Sequence, residues 1–261
     1  MDIKNITLKQ GDCLELMKDI PDDYVDLVII DPPYEFVTGS GGGAFGNKKR
    51  KHHQEYTSLY YEKPRKNETF LDKAKREQRN ELRFISSGFD FKVLNELDRI
   101  MKLTNIYIWC SKMQVSKLLN YYESKGCNID ILTWHKTNPT PTMNNTYAND
   151  TEYLIFARQK GVKVYGTYHT KKKYYVTPTN KADKKIYKHP TIKPLHIIKN
   201  LIFNSSKEEE IVLDCFMGSG TTGAACKELN RKFVGIELDE EYFNIAKERI
   251  NNTLKNKECV F

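Results

Sequence analysis

Residues 25–30, VDLVII, form an unbroken apolar and β-branched run, the pattern of a strand covered on both faces. A shorter alternating stretch, NITLKQ (5–10), predicts a strand before it, and GDCLELMKDI (11–20) predicts a turn and a short amphipathic helix between the two. Further along, helical and strand periods keep exchanging. FDFKVLNELDRIM (89–101) and KMQVSKLLNYYESKG (112–126) predict helices, and NIYIWC (105–110), DILTWHK (130–136) and TEYLIFARQ (151–159) predict strands. HPTIKPLHIIKNLIFNSS (189–206) runs from loop into helix. The last stretch is a βαβα unit: EIVLDCF, the glycine turn MGSG, TTGAACKELN, RKFVGIELD and EEYFNIAKERINNTL. This alternation predicts an α/β fold with a largely parallel sheet.

Two regions break the rhythm. Between residues 37 and 88 the chain is first too glycine-rich for a regular element (VTGSGGGAFG) and then too charged for a core (NKKRKHH, with His52 and His53), which predicts a long loop or insertion. Residues 158–193 hold 11 Lys and Arg against one acid, Asp183, so this segment alone exceeds the formal net charge of +8 of the whole chain. Such a concentration favours a polyanionic partner, with a solvated charged surface as the plainer reading.

With 261 residues and 39% apolar composition the chain is expected to form one main domain over 1–261. No run approaches the roughly 20 apolar residues of a membrane span, and MDIKNITLKQ lacks the layout of a signal peptide. A soluble, cytoplasmic protein with no membrane partner is expected. The six cysteines, Cys13, Cys110, Cys127, Cys215, Cys226 and Cys259, form no CxxC pair, which predicts reduced thiols and no metal site.

Gly218, Gly220 and Gly223 fit GxGxxG between a strand and a helix, and Glu237 ends the next strand, where a carboxylate can accept both hydroxyls of a ribose. Any adenosine cofactor fits these two facts, a dinucleotide included. An ATP P-loop is excluded because its lysine is missing, while Thr221 and Thr222 suit a helix N-terminus. Asp31 falls at the carboxyl end of its strand, where open α/β sheets bind ligands. The prolines fix φ and bias Asp31 toward an extended backbone, so its carboxylate and the Pro32 carbonyl are both offered as acceptors beside the flat face of Tyr34. Taken alone, these residues admit two readings: a turn that closes a strand, or a pocket for a planar ring with an exocyclic amine.

DPPY (Asp31, Pro32, Pro33, Tyr34) together with DCFMGSGTT (214–222) resembles the amino-methyltransferases that modify DNA bases with S-adenosylmethionine, in which the first is the catalytic motif and the second the cofactor motif. GDCLELM (11–17), WHKTNPTP (134–141) and HPTIKP (189–194) are similar to further segments of that family, in the right order along the chain. The catalytic motif comes first by about 180 residues, as in the circularly arranged subgroup often called the β class. Ile192 departs from the usual glutamine, and residues 37–88 match no motif.

The resemblance implies a Rossmann-like class I methyltransferase with a mostly parallel seven-stranded sheet and an inserted recognition region at 142–188. It implies S-adenosylmethionine as cofactor, held by Asp12, Cys13, Asp31, Thr191, Lys193, Asp214, Phe216, Gly218, Ser219, Gly220, Thr221, Thr222, Glu237 and Leu238. Lys193 also admits a phosphate contact or plain surface, and His189 a structural role. The partner implied is double-stranded DNA, contacted by Lys171, Lys172, Lys173, Tyr174 and Tyr175, with a homodimer and a cognate restriction endonuclease left open. DPPY resembles the adenine-modifying members, so adenine N6 is expected over cytosine N4. The competing functions are an RNA or protein amino-methyltransferase, a dinucleotide oxidoreductase and a non-catalytic DNA-binding module.

Overall fold

The computed structural model describes residues 2–3, 5–35, 69, 72–73, 88–139, 141 and 147–254. Apart from 69, 72–73 and Gly88, the expected insertion at 37–88, including His52 and His53, lies outside the described residues, as do 142–146 of the expected recognition region and Cys259.

The strands are β1 (Asp2–Ile3), β2 (Ile6–Gln10), β3 (Leu27–Ile30), β4 (Asn105–Cys110), β5 (Asn128–Lys136), β6 (Thr151–Arg158), β7 (Tyr174–Thr177), β8 (Ile211–Asp214) and β9 (Lys232–Glu237). The helices that matter to the site are α1 (Cys13–Met17), α2 (Lys92–Ile100), α3 (Lys112–Glu123), α4 (Lys181–Ile186), α5 (Leu195–Ser205), α6 (Thr221–Glu228) and α7 (Glu240–Asn252). Among the described residues the sheet runs β1-β2-β9-β8-β3-β4-β6-β5-β7. Only β1 and β6 oppose the rest.

The expected seven strands are all present as β2 to β6, β8 and β9. The sheet is wider by two short edge strands, β1 and β7. Neither carries a continuous apolar run: β7 alternates exposed and half-buried residues, YYVT, within the lysine-rich segment. Its pairing with β5, a tertiary contact, makes it a strand.

Each central strand is apolar because it feeds two cores. Along β3, Leu27 and Ile29 join the face covered by α5, α6 and α7, whereas Val28 and Ile30 join the face covered by α1, α2 and α3. Strand β4 repeats the division, with Tyr107 and Trp109 on the first face and Ile106, Ile108 and Cys110 on the second. This two-sided burial places the polar residues of the inner strands at their ends. The chain leaves β3 toward β4 and leaves β8 toward β9, so the β3–β8 junction is a topological switch point, where such sheets open a crevice.

Among the described residues no helix is long and apolar enough to cross a membrane. Cys13, Cys110, Cys127, Cys215 and Cys226 are free thiols.

Candidate active site

On the β8–β9 side of the crevice, a turn is tied together by two carboxylates. Asp214 is 4% exposed and both its oxygens are used: Oδ1 accepts the Phe216 N–H at 3.1 Å and Oδ2 accepts the Thr222 hydroxyl at 2.6 Å. Burial pushes its carboxyl up to about 7 against those two hydrogen bonds. Asp214 therefore shapes the turn. Glu237 accepts the Gly218 N–H at 2.8 Å through Oε2 and the Asp239 N–H at 2.9 Å through Oε1, and burial raises its pKa.

Gly218 and Gly220 have φ of +49° and +78°, and a Cβ would come within 2.8 Å of His189 Nε2 at the first and 2.9 Å of the Ala246 Cβ at the second. Only glycine satisfies both the conformation and the space. The side chains of Ser219, Thr221 and Thr222 are buried behind the turn, where Arg249 Nη1 donates to Thr221 Oγ1 at 2.8 Å. His189 is wedged against Gly218 and the Tyr242 ring, at 4.6 Å between centroids. Burial, with Lys193, Lys184 and Arg249 nearby, lowers its pKa to about 4, so it is a neutral packing group.

The end of β2 completes this side. The Gly11 N–H donates to the Glu237 carbonyl at 2.9 Å, and exposed Asp12 caps α1 by accepting the Glu15 N–H at 3.1 Å. Cys13 faces Cys215 behind the cap. Leu238 leaves 51% of its surface exposed beside Glu237.

On the β3 side the groups are charged and come from distant segments. Asp31 Oδ2 accepts from Lys193 Nζ at 2.6 Å, and Lys193 reaches Glu152 Oε2 at 3.2 Å. The Tyr34 hydroxyl donates to that same Glu152 oxygen at 3.0 Å, and Glu152 Oε1 pairs with Lys136 at 2.6 Å. Sheet direction explains the gathering. β6 runs against its neighbours, so its first residues, Thr151 and Glu152, lie at the same edge as the last residues of β5, with Glu152 opposite Trp134. The ammonium of Lys193, 5% exposed, also sits 5.2 Å from the Tyr34 ring centre and 5.1 Å from that of Trp109.

Burial pushes the Asp31 carboxyl up and Glu152 adds to it, while Lys193 opposes. Burial would do the same to Glu152, but Lys193 and Lys136 outweigh it and hold that carboxyl at about 2. Burial disfavours the Lys193 ammonium, yet its two carboxylates outweigh that and raise its pKa. Lys193 is thus neither surface nor free for a phosphate. The backbone of the motif is fixed from below: Gln114 Nε2 donates to the Pro33 carbonyl at 3.2 Å, and the Ser111 hydroxyl to the Glu35 carbonyl at 2.7 Å. Thr191 is exposed on the loop before Lys193.

The basic segment lies against α5. Asn200 donates to the Thr170 carbonyl at 2.8 Å and to the Tyr175 hydroxyl at 2.7 Å, and Asn204 donates to the same carbonyl at 2.7 Å. Tyr175, expected at DNA, is turned inward by the alternation of β7 and packs on the core. Lys173 is paired with Asp130. Lys171, Lys172 and Tyr174 remain exposed, with Lys172 Nζ 5.9 Å above the Tyr174 ring centre.

Sequence reasoning missed Glu152 and Lys136 as site residues. The signals were an acid opening the apolar run TEYLIF and a lysine within WHKTNPTP, but neither shows its partner without the strand order.

A mostly parallel sheet with a glycine turn after β8, an acid ending β9 and a second acid after β3, the other neighbour of β8, is the arrangement of a class I methyltransferase fold. The chain belongs to the family described as DNA methylase, whose N6/N4 methyltransferase profile matches residues 25–248. It is 30% identical over 270 residues to the Type II methyltransferase M2.LlaDCHI of Lactococcus lactis subsp. cremoris, covering 95% of this chain and 90% of that one. It is 28% identical to the Type II methyltransferase M2.MboI of Moraxella bovis, covering 98% and 92%. Among solved structures it is similar to the complex of M1.HpyAVI with SAM, with a TM-score of 0.65, 26% identity and coverage of 94% and 99%. The PvuII cytosine-N4-specific DNA methyltransferase shares the fold, with a TM-score of 0.65 at 15% identity and coverage of 98% and 90%.

Proposed function

We propose that this protein is a site-specific DNA adenine-N6 methyltransferase of the β class that uses S-adenosylmethionine. The observation that carries the reading is the adjacency of β8 and β3, which sets the glycine turn and Glu237 beside Asp31 and Tyr34 along one sheet edge.

The residues on the β8–β9 side fit the cofactor. A carboxylate at the end of β9 suits the ribose hydroxyls, and the exposed apolar Leu238 next to it suits a flat adenine ring. Asp12 is the candidate for the adenine amino group, Phe216 and the turn residues for the methionine side, and exposed Thr191 for the carboxylate, whereas Lys193, expected there as well, is held between Asp31 and Glu152. When bound, S-adenosylmethionine supplies a methyl group already activated on its sulfonium. The remaining work of the protein is positioning.

An aromatic exocyclic amine is a poor nucleophile because its lone pair is delocalised into the ring. Asp31 accepts one N–H of the amine, the Pro32 carbonyl accepts the other, and Tyr34 holds the ring by stacking, which together favour a pyramidal nitrogen. Methylation leaves a surplus proton on that nitrogen, which Asp31 or water accepts. The pushed-up pKa of Asp31 makes it a better proton acceptor than an exposed carboxylate.

A duplex hides the amine, so the target base leaves the stack at a cost of a few kcal/mol. The exposed Lys171 and Lys172 and the exposed Tyr174 are suited to phosphate contact and stacking that offset it. Residues 142–188 are thereby the recognition region of a single catalytic domain. The Type II relatives support a role beside a restriction endonuclease that reads the same site.

The test is the product. Unmethylated double-stranded DNA incubated with the protein and S-adenosylmethionine, then digested to nucleosides, is expected to yield N6-methyldeoxyadenosine. N4-methyldeoxycytidine as the sole modified nucleoside would replace adenine with cytosine, and binding of NAD without S-adenosylmethionine would overturn the whole reading.

A further inference from the structure

Lys193 is a buried ammonium shared by two carboxylates, and the way it is shared decides what Asp31 can do. Its bond to Asp31 is 2.6 Å and its contact with Glu152 is 3.2 Å. Were Lys193 committed to Asp31 alone, the Asp31 carboxylate would be a weaker acceptor for an incoming amine and for its proton. Glu152 is a second partner for that ammonium. Its Oε2 draws on Lys193 and also anchors the Tyr34 hydroxyl at 3.0 Å, while Lys136, 2.6 Å from Oε1, braces the other oxygen. Two cations and two anions alternate in the order Lys136, Glu152, Lys193, Asp31, so the cluster is neutral.

We propose that Glu152, braced by Lys136, is a positioning residue of the reaction centre, which fixes the Tyr34 ring and keeps Lys193 shared so that Asp31 remains an available acceptor. This inference rests on the assignment of Asp31 as the residue that receives the amine. It gives a function to Lys136 of WHKTNPTP and to Glu152, the second residue of β6, neither of which is assigned a contact with substrate.

Among the described residues, the other titratable groups near Asp31 and its partners are Cys110, Asp214, Lys184 and His189. Cys110, at the end of β4, is a thiol that burial and the Asp31 charge push up to about 12, so it stays neutral. Asp214 faces Asp31 from the end of β8. Lys184 of α4 acts on Lys136, Glu152 and Lys193, and neutral His189 lies next to Lys193 on the following loop. None of these residues is replaced in the two variants that follow.

Glu152→Gln keeps an acceptor for Tyr34 but removes an anion facing Asp31 and releases Lys193 to it. The Asp31 titration is then expected to move to lower pH by about one unit. Lys136→Met removes a cation and leaves Glu152 to pull harder on Lys193, so the Asp31 titration is expected to move to higher pH by a similar amount. A Glu152 that acts only by packing, with no charge reaching Asp31 directly or through Lys193, leaves the Asp31 titration unmoved in both variants.

The experiment follows the carboxyl carbon of Asp31 by NMR in protein labelled at aspartate, with Asp31→Asn to assign the resonance. The same variants are then assayed for methyl transfer against pH at saturating DNA and S-adenosylmethionine. Opposite displacements of the titration and of the acid limb of kcat support the proposal. Displacements of the same sign, or an unmoved titration in both, overturn it. Should Glu152→Gln not fold, the direction of the Lys136→Met shift decides alone. The NMR titration needs no substrate, so it reports on the charge cluster even if the wild-type protein methylates no DNA, an outcome that would sink the functional reading by itself.

Discussion

On the β8–β9 side of the crevice the side-chain bonds that shape the glycine turn join near neighbours: Thr222 to Asp214 across 8 positions and Gly218 to Glu237 across 19. On the β3 side, Lys193 reaches Asp31 across 162 positions and Tyr34 reaches Glu152 across 118. The first side is mostly backbone held by carboxylates and defined by two glycines in left-handed conformations. The second is a chain of alternating charges held by strand order. A site made of backbone fails where the conformation is denied to it. One made of charges fails where its balance is upset.

The sharpest break of that contrast is Lys193→Met, which leaves Asp31 and Glu152 without their shared cation. Removing one partner of a buried ion pair costs about 3–5 kcal/mol. Urea unfolding measures it, and a loss below about 1 kcal/mol would show that the charges do not hold the β3 side together.

Glu237→Gln tests the opposite side. It removes the charge that accepts the Gly218 and Asp239 N–H groups and is offered to the ribose. Hydrogen bonds to charged groups are worth about 1.5–3 kcal/mol, so calorimetry should show S-adenosylmethionine binding about 10–100-fold more weakly. An unchanged affinity removes Glu237 from the cofactor site.

Gly220→Ala is a smaller perturbation of the same side. Its φ of +78° and the Ala246 Cβ at 2.9 Å both oppose a side chain. The left-handed conformation alone costs about 1–2 kcal/mol, seen as a lower thermal midpoint, and cofactor affinity should fall with it. The same substitution at exposed Gly126, also at positive φ but with nothing within 4 Å of its Cβ, should cost stability without touching affinity.

The smallest expected effect lies outside the crevice. Lys171→Ala and Lys172→Ala should each weaken DNA binding a few-fold, and each should flatten the dependence of log affinity on log salt by about one contact. Lys173→Ala should do less, because that lysine already has Asp130 as a partner. Equal effects at all three would show that the ion pair with Asp130 does not persist in the complex.

The same contrast marks how much was legible in the sequence. Strands β3, β4, β8 and β9 announce themselves because burial on both faces demands continuous apolar runs, and the glycine turn does so because its conformation admits few residues. Asp31 is legible as the first acid after such a run. The edge strands β1 and β7 were not, since a short edge strand exists only through its partner. The inward direction of Tyr175 was hidden for the same reason: it comes from the pairing of β7 with β5, which KKKYYV does not encode locally. Glu152 and Lys136 were hidden because β6 runs against its neighbours, and only that reversal brings the beginning of one strand beside the end of another.

The separation of the two sides is tested most directly by Asp31→Ala, with cofactor calorimetry and single-turnover methyl transfer to DNA measured on one preparation. Asp31 touches Lys193 but none of the bonds that hold the glycine turn. Affinity for S-adenosylmethionine is therefore expected to stay within about threefold of wild type, under 1 kcal/mol. Methyl transfer is expected to fall by about 10²–10⁴-fold. Transfer that survives the substitution, or cofactor binding lost together with transfer, would contradict the assignment of Asp31 as the acceptor of the amine.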